Sequence, residues 1–443
     1  MSFLQNNGFL PGMKPLSMKR STVVSVLDVG TSKICCIIAR LHPREETGVL
    51  PGRTHKIEVI GIGHQRSRGI KSGVIVDLDA AEQAIRTSVD AAERMAGVTV
   101  ESLIVNVSSG RLVSEAFSAD MEIGGHEIAE KDISQVLGAG AQHALAPDRS
   151  VVHSLPIGFN LDGEQGISDP RGMIGNTLGV DMHVLTAENA PLRNLELCIN
   201  RAHLSIEAMV ATPYASGLAA LVDDESEMGS ACIDMGGGTT TLSVFLNGRF
   251  IYCDAIAVGG HHVTMDLARG LSTRLDDAER LKVLHGSVLG GAGDGDDVVS
   301  VPAIDPQDED GGQVVSKAHL TRIIRPRIEE TLELIRDRLA RSGFADAVGK
   351  RIVLTGGASQ LNGVGELARR VMSKNVRIGR PMGIKGMPEA AKGPAFSTAV
   401  GLMVYPQISQ IEYLSQVRQQ APALMTGTGG AFHRFSHWLK DSF

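Results

Sequence analysis

The stretch 230–246 combines an aspartate, a glycine turn and hydroxyl side chains. An apolar run ends at Asp234, and a second apolar run follows the turn residues Gly236, Gly237, Gly238 and Thr239. Apolar runs joined by a glycine turn predict a β-hairpin. Glycine lets the backbone approach oxygen closely, consecutive N–H groups form an anion-binding nest, and a carboxylate can reach Mg²⁺ through water. The hairpin therefore suits a metal-bound polyphosphate; a glycine turn without a ligand is the alternative.

The same pattern occurs about half a chain earlier, in the stretch 23–38. An apolar strand ends at Asp28, the chain turns through Gly30, Thr31 and Ser32, and a second apolar strand follows. A pattern that recurs at long spacing indicates an internal repeat. We therefore predict two related halves whose hairpins face one ligand.

A third glycine turn lies late in the chain, at Gly356 and Gly357. It follows an apolar run and precedes a helical pattern. A strand, turn and helix in this order place backbone N–H groups beside an anion or a flat ring. Two other nucleotide motifs are excluded, because no G-x-x-x-x-G-K-[ST] sequence occurs and Gly61 and Gly63 lack a third glycine at the dinucleotide-binding spacing.

Length and composition restrict the class of protein. A chain of 443 residues is too long for one ordinary domain. The net charge of −7 and the lack of a Lys/Arg-rich run disfavour nucleic-acid binding. Five cysteines without C-x-x-C spacing indicate a reducing compartment and no zinc site. No apolar run is long enough for a membrane-spanning helix.

The C-terminal segment 431–443 is rich in aromatic residues, although they make up only 4% of the chain. On a helix, its apolar side chains share one face: Phe432, Phe435, Trp438 and Leu439. Its basic side chains lie largely away from that face: His433, Arg434, His437 and Lys440. This arrangement is typical of a helix in a membrane interface, and docking back onto the protein is the alternative. One short helix binds reversibly, so firm attachment would need several copies on one polymer.

Several segments of the chain together resemble the actin/Hsp70/sugar-kinase ATPase superfamily and, within it, the FtsA family of bacterial cell-division proteins. The resemblance extends from about residue 21 to residue 443. It is carried by the segments 67–78, 233–239, 277–286, 353–358 and 397–402, and by the aromatic, basic C-terminus. Three features depart from the family pattern: the N-terminal extension, an acidic loop at 286–316, and two histidines in the tail helix.

The resemblance implies an α/β, actin-like fold. It would have two ribonuclease-H-like domains, an inserted α+β subdomain in the first half, a further subdomain in the second half, and a C-terminal amphipathic helix. The expected boundaries, in chain order, are a disordered tail (1–20), a first domain (21–102, completed by 185–228 and 395–405), the inserted subdomain (103–184), a second domain (229–260, completed by 345–394), a nucleotide-capping subdomain (261–344), a linker (406–430) and the amphipathic helix (431–443).

The resemblance also implies where ATP and Mg²⁺ bind. The implied phosphate-binding residues are Gly30, Thr31 and Ser32 on one side and Gly236, Gly237, Gly238 and Thr239 on the other. The implied adenosine-binding residues are Glu279, Lys282, Gly356 and Gly357. Asp28 and Asp234 would orient the water ligands of Mg²⁺. The sequence singles out no group that positions an attacking water, so we expect at most slow hydrolysis.

The family implies a division protein that polymerises at the cytoplasmic face of the cell membrane. It would anchor the tubulin-like GTPase FtsZ there and recruit later division proteins through the inserted subdomain, with ATP acting as a clamp between the halves. A small-molecule kinase on the same fold is the main alternative, but it leaves the tail and the inserted segment unexplained. An Hsp70-like chaperone is disfavoured, because no substrate-binding domain follows residue 405.

Deletion of residues 431–443 should release the protein from liposomes, because it removes the apolar face that would enter the membrane interface. Co-sedimentation with liposomes, with and without ATP and FtsZ, measures this for the full-length and shortened chains. As matched point variants, Phe435→Ala should weaken sedimentation more than His437→Ala. Undiminished sedimentation of the shortened chain would show that the anchor lies elsewhere.

Overall fold

The computed structural model describes residues 13, 15–44, 53–108, 111–141, 146–291, 293–305 and 312–409. Its strands are β1 (Thr22–Val29), β2 (Lys33–Pro43), β3 (His55–Arg66), β4 (Ile70–Lys71), β5 (Val74–Ile75), β6 (Ser102–Val107), β7 (Val113–Glu122), β8 (Arg149–Leu161), β9 (Glu164–Ile167), β10 (Thr177–Glu188), β11 (Ser205–Ala211), β12 (Ser230–Met235), β13 (Thr240–Leu246), β14 (Arg249–Ile256), β15 (Val298–Val301), β16 (Gln313–Ser316), β17 (Arg351–Thr355), β18 (Asn375–Ile378) and β19 (Ile384–Lys385).

The α-helices of the described chain are α1 (Leu78–Ala96), α2 (Glu130–Ala141), α3 (Asn189–Arg201), α4 (Thr212–Ala220), α5 (Asp223–Glu227), α6 (Gly260–Gly270), α7 (Leu275–His285), α8 (Lys317–Arg341), α9 (Val364–Met372) and α10 (Ser397–Val404). Short 3₁₀ helices cover Gly357–Gln360, Glu389–Ala391, Pro394–Phe396 and Tyr405–Gln407. The proline at position 326 does not end α8, which continues past it to Arg341.

Two larger sheets in the described chain share one plan. The first has the order β11-β6-β1-β2-β3-β19, with β1, β2 and β3 antiparallel and β6 and β11 parallel to β1. The second has the order β14-β13-β12-β17-β18, with β12, β13 and β14 antiparallel and β17 and β18 parallel to β12. The prediction of two related halves is therefore confirmed in strand order and direction.

The helices α4 and α10 join the two halves. Every residue of both helices is buried. A Cβ atom on Gly401 of α10 would overlap the carbonyl oxygen of Ala215 in α4, so the two backbones are in direct contact. Only glycine permits such an approach, because any other residue would push the helices apart.

A separate sheet in the first half has the order β7-β10-β8-β9 and is covered by α2. Its core includes Ile133, Val136, Val180 and Met182. The boundaries differ from the expected ones at two strands. Strand β6 belongs to the first sheet, so the inserted part begins after residue 107 rather than at 103. Strand β19 pairs with β3 in the first sheet, although it falls within the segment 345–394 expected to complete the second domain.

The stretch 286–316, which the sequence predicts as an acidic loop, contains regular structure. Strands β15 and β16 pair antiparallel within it. Val299 and Val301 alternate with exposed residues along β15 and join the core of the second half. This alternation is the usual pattern of a half-buried strand. The acidic residues around it mask the pattern in the sequence.

The two ends of the chain are only partly described. Met13 and Leu16 pack against the core of the first half, so the disordered tail expected over 1–20 is too long at its C-terminal end. The predicted membrane-binding residues all lie outside the described residues: Phe432, Arg434, Phe435, Trp438, Leu439 and Lys440. Within the described ranges, no helix is both long enough and apolar enough to cross a membrane.

A buried histidine attaches the inserted sheet to the second half. His183 of β10 forms hydrogen bonds through Nδ1 to the carbonyl oxygen of Phe250 at 2.9 Å and through Nε2 to Ser114 Oγ at 2.7 Å. Ser114 Oγ in turn accepts from the N–H group of Cys253 at 3.3 Å. The pKa of His183 is lowered to about 4: burial is the main cause, the hydrogen bond to Phe250 opposes it, and the nearby His153 adds a smaller decrease. The imidazole ring of His183 is therefore neutral in the folded protein near pH 7.

The His183 site should make stability depend on pH. The pKa is about 4 in the folded protein and close to 6.5 in an unfolded chain, so only the unfolded chain gains this proton between these values. The free energy of unfolding should therefore fall as the pH decreases from 6.5 to 4, by about 3 kcal/mol from this group. Urea denaturation of the wild type and of His183→Gln at several pH values measures it. The variant should lose less stability across this window, and equal losses would contradict the assignment.

Candidate functional site

A cavity of about 830 Å³ lies between the two halves. All the residues that the sequence and the resemblance assign to nucleotide and metal line it: Asp28, Gly30, Thr31, Ser32, Asp234, Gly236, Gly237, Gly238, Thr239, Glu279, Lys282, Gly356 and Gly357. The fold thus brings the two hairpins, the helix α7 and the third turn to one space. Their roles toward a ligand stay predictions.

The two glycine turns have the same hydrogen-bonded geometry. Gly30 donates its N–H to the carbonyl oxygen of Lys33 at 3.0 Å, and Gly236 donates to that of Thr239 at 2.9 Å. In both hairpins the aspartate precedes this glycine by two residues. The two predicted hairpins are therefore present, and their turns are equivalent.

The tips of both turns offer free backbone donors. In the part of the chain that the structure describes, no acceptor is bonded to the N–H groups of Thr31, Ser32, Gly237 and Gly238. Backbone N–H groups require a partner, and consecutive ones form a nest for anions. The cavity is thus provided with anion-binding donors from two opposite sides.

The two tips also touch each other across the cavity. A Cβ atom on Gly237 would overlap Ser32 Oγ, and one on Gly238 would overlap the Thr31 side chain. Side chains at these two glycines would therefore hold the halves further apart. The close approach explains why the second turn consists of glycine where the first carries hydroxyl residues.

Two aspartates in the cavity wall are buried and have raised pKa values. Asp28 and Asp234 are each only 6% exposed. The pKa of Asp28 is raised to about 6: burial raises it most, the charge of Lys33 lowers it, and the negative charge of Asp234 raises it. Burial also raises the pKa of Asp234, while hydrogen bonds from Ser216 and Thr398 lower it. Like charges buried together favour the binding of a cation beside them.

The aspartate pair fits a divalent cation such as Mg²⁺. Within the described chain no hydrogen-bond donor reaches the Asp28 carboxylate, so its oxygen atoms are available to a metal ion or to its water ligands. The nearby Lys33 does not neutralise it by direct contact. Its ammonium donates to the carbonyl oxygen of Ala395 and lies 3.5 Å from the centre of the Phe396 ring.

Glu279 and Lys282 line the cavity but bind each other. The Lys282 ammonium donates to Glu279 Oε2 at 2.7 Å, to Thr264 Oγ1 at 2.9 Å and to the carbonyl oxygen of Gly260 at 3.1 Å. An ammonium group has three N–H donors, and these contacts use all of them. The pair braces the wall formed by α6 and α7. The predicted adenosine contact would therefore be made by the aliphatic part of Lys282 or by Glu279 Oε1.

The third turn packs on a carboxylate as well as lining the cavity. Gly356 has a φ of 85°, and a Cβ atom there would overlap Asp234 Oδ1. The sequence predicts an α-helix directly after this turn. A 3₁₀ helix, Gly357–Gln360, follows instead, and α9 begins only at Val364.

Some lining residues are not predicted from the sequence. Asn106, near the end of β6, accepts from the N–H group of Val29 at 2.6 Å and donates to Thr212 Oγ1 at 3.2 Å. Lys33 and part of the acidic stretch, including Asp294, line the cavity as well. The one sequence feature that could have indicated such lining residues is a polar residue at the end of a buried strand, as at Asn106 and Thr212.

The charge on Asp28 generates a prediction for the protein without nucleotide or metal. Asp28→Asn should raise the free energy of unfolding at pH 7.5 in EDTA by about 2–3 kcal/mol, because it removes a buried charge whose pKa is about 6 when folded and 3.8 when unfolded. The gain should vanish as the pH falls from 6 towards 3.8, since the folded wild type then takes up a proton. Urea denaturation measures both effects. The exposed Asp337→Asn serves as control, and a destabilised Asp28→Asn would refute the prediction.

Two family matches cover separate parts of the chain. The family described as "Cell division protein FtsA" matches residues 231–401, and the one described as "SHS2 domain inserted in FTSA" matches residues 109–186. The second match covers the separate sheet β7-β10-β8-β9.

Curated relatives are similar over the whole length. The chain is 63% identical to "Cell division protein FtsA" of Agrobacterium fabrum strain C58, covering 100% of both chains. It is 62% identical to the protein of that name in Rhizobium meliloti strain 1021, covering 98% of each. With the Escherichia coli K12 protein of that name it shares 28% identity over 94% of this chain and 97% of the relative.

Solved structures with the same fold are more distant in sequence. The "PilM-PilN type IV pilus biogenesis complex" matches with a TM-score of 0.59 and 15% identity, over 87% of this chain and 98% of that chain. The crystal structure of MreB5 of Spiroplasma citri bound to ADP matches with a TM-score of 0.53 and 13% identity, over 89% of this chain and 98% of that chain. These likenesses establish an actin-like α/β fold.

Proposed function

This chain belongs to the FtsA family of cell division proteins, and from that premise we propose that it binds ATP with Mg²⁺ between its two halves. The observation that carries the proposal is the convergence of both hairpins and the third turn on one cavity of about 830 Å³. The fold neighbour MreB5, which is bound to ADP in its crystal structure, supports a nucleotide as the ligand.

The two turns would hold the phosphate groups. Thr31 and Ser32 of the first turn and Gly237 and Gly238 of the second line the cavity, and within the described chain their N–H groups have no bonded acceptor. A polyphosphate between them would satisfy donors of both halves at once. Because the tips belong to different halves, such a ligand would favour the closed arrangement over an open one.

Asp28 and Asp234 would hold Mg²⁺, directly or through its water ligands. When bound, the ion would neutralise negative charge on the phosphate oxygens. The same charge would offset the repulsion between the two buried carboxylates. Asp28 is the residue that supports this assignment most strongly, since no described hydrogen-bond donor reaches its carboxylate.

The family resemblance extends the proposal to the cell. We place the protein at the cytoplasmic face of the cell membrane at the division site, as a polymer that anchors FtsZ and recruits later division proteins. The amphipathic segment 431–443 supports membrane attachment, and the inserted sheet is the proposed surface for other division proteins. Liposome co-sedimentation with FtsZ, as described for the tail, tests this part of the proposal separately from nucleotide binding.

Asp234→Ala should weaken binding of Mg·ATP by about tenfold or more, because it removes one of the two carboxylates that would face the ion. Isothermal titration calorimetry with ATP in excess Mg²⁺ measures the affinity. Asp181→Ala, which removes a half-buried carboxylate of the inserted sheet, is the matched control and should leave the affinity unchanged. Equal affinities of Asp234→Ala and the wild type would refute the proposed metal site.

A further inference from the structure

The Asp234 carboxylate is held on both of its oxygen atoms. Ser216 Oγ and Thr398 Oγ1 both donate to Oδ2, the latter at 3.0 Å. The other oxygen, Oδ1, lies against Gly356, where a Cβ atom would overlap it. The side chain therefore has one available orientation, with Oδ2 directed at the two hydroxyls and Oδ1 beside the third turn.

The two hydroxyls come from the two helices that join the halves. Ser216 lies in α4 and Thr398 in α10, and their oxygen atoms are 3.0 Å apart although the residues are 182 positions apart in the chain. A second hydroxyl pair ties α10 to the second sheet, because Thr355 Oγ1 lies 2.6 Å from Ser397 Oγ. The position of the Asp234 carboxylate is thus coupled to the crossing of α4 and α10.

The first hairpin reaches the same helix by a different route. The N–H group of Val29 donates to Asn106, and Asn106 donates to Thr212 at the start of α4. Thr212 and Ser216 are four residues apart, so they lie on one face of the helix. One turn of α4 is therefore linked to both hairpins, through Thr212 and Asn106 to the first and through Ser216 to Asp234 of the second.

Resting on the proposed binding of Mg·ATP, we propose that Ser216 and Thr398 are positioning residues for nucleotide binding. They fix the Asp234 carboxylate beside the proposed metal site, and through α4 and α10 they make the crossing of the two helices depend on what the carboxylate binds. The internal repeat supports this role. Asp28 has the equivalent place in the first hairpin, yet no described hydroxyl reaches it. Positioning is therefore confined to one of the two aspartates.

Ser216→Ala and Thr398→Val should each weaken Mg·ATP binding by about tenfold, the effect of losing a hydrogen bond to a charged group. Binding of ADP measured in EDTA should change by less than about twofold, because without the ion the orientation of Asp234 matters little. Thr398→Ser keeps the hydroxyl and should restore Mg·ATP affinity. Ser243→Ala and Thr331→Val remove buried hydroxyls outside the cavity and should leave both affinities unchanged.

The outcomes separate this inference from the function on which it rests. A wild type that does not bind Mg·ATP would refute the proposed function. If the wild type binds Mg·ATP and both variants, Ser216→Ala and Thr398→Val, bind it equally well, the proposed function stands and the positioning role is refuted. The same conclusion follows if the variants lose affinity for Mg·ATP and for ADP in EDTA to the same extent. Circular dichroism checks that each variant is folded, and each substitution removes little more than one oxygen atom.

Hydrogen exchange gives a second readout. In the wild type, saturating Mg·ATP should slow exchange of the backbone amides in α4 and α10. In Ser216→Ala at saturating Mg·ATP, this protection should be smaller although the site is filled. The same protection in both proteins would contradict the coupling of the carboxylate to the helix crossing.

Discussion

The burial of two carboxylates in one cleft is the constraint on which the rest of this structure depends. Asp28 and Asp234 lie within mutual electrostatic reach and are almost completely removed from solvent. Burial of like charges is unfavourable unless hydrogen bonds, a cation or both compensate it. Two hydroxyls donate to Asp234, whereas among the described residues no donor reaches Asp28, whose charge is favoured by that of Lys33. A bound cation would offset the remaining cost of burying the two negative charges.

The duplicated architecture places this charge between two nearly equivalent walls. Each half contains three antiparallel strands, two strands parallel to the first of them, and one glycine turn closed by the same hydrogen bond; the first half also has β19. The halves differ where they meet. The first turn carries hydroxyl side chains and the second consists of glycine, so the two tips can pack against each other without steric overlap. A repeat with small differences thus produces a closed, two-sided cleft from one local motif.

The inserted sheet is held to this framework by polar contacts as well as apolar packing. His183 and Ser114 form a chain of hydrogen bonds from the inserted sheet to β14 of the second half. Tyr214 of α4 stacks on Phe250 of the same strand, with ring centres 4.6 Å apart. The helix that supports both hairpins is therefore in direct contact with the strand to which the inserted sheet is attached.

The sequence by itself determined the parts of the site that are local in the chain. An apolar run, an aspartate and a glycine turn specify a hairpin within about ten residues, and the repeat at Asp28 and Asp234 indicated two halves. Strand alternation in the acidic stretch was also present locally, but charge around Val299 and Val301 concealed it. The family resemblance assigned Lys282 to adenosine, a role that stays a prediction; the structure shows its side chain lining the cavity. Its three bonds to neighbouring groups were not visible in the spacing of Glu279 and Lys282 alone.

Only the tertiary structure decided which hydroxyl groups bond to Asp234. Ser216 and Thr398 are ordinary hydroxyl residues in two short, apolar helices, and no local pattern relates them to Asp234 or to each other. Their positions beside Asp234 arise because Gly401 allows α4 and α10 to cross in backbone contact. Local sequence specifies hydrogen bonds that close within one turn or hairpin. Bonds between residues 182 positions apart depend on how whole elements pack, and that is decided by the burial of both helices between the sheets.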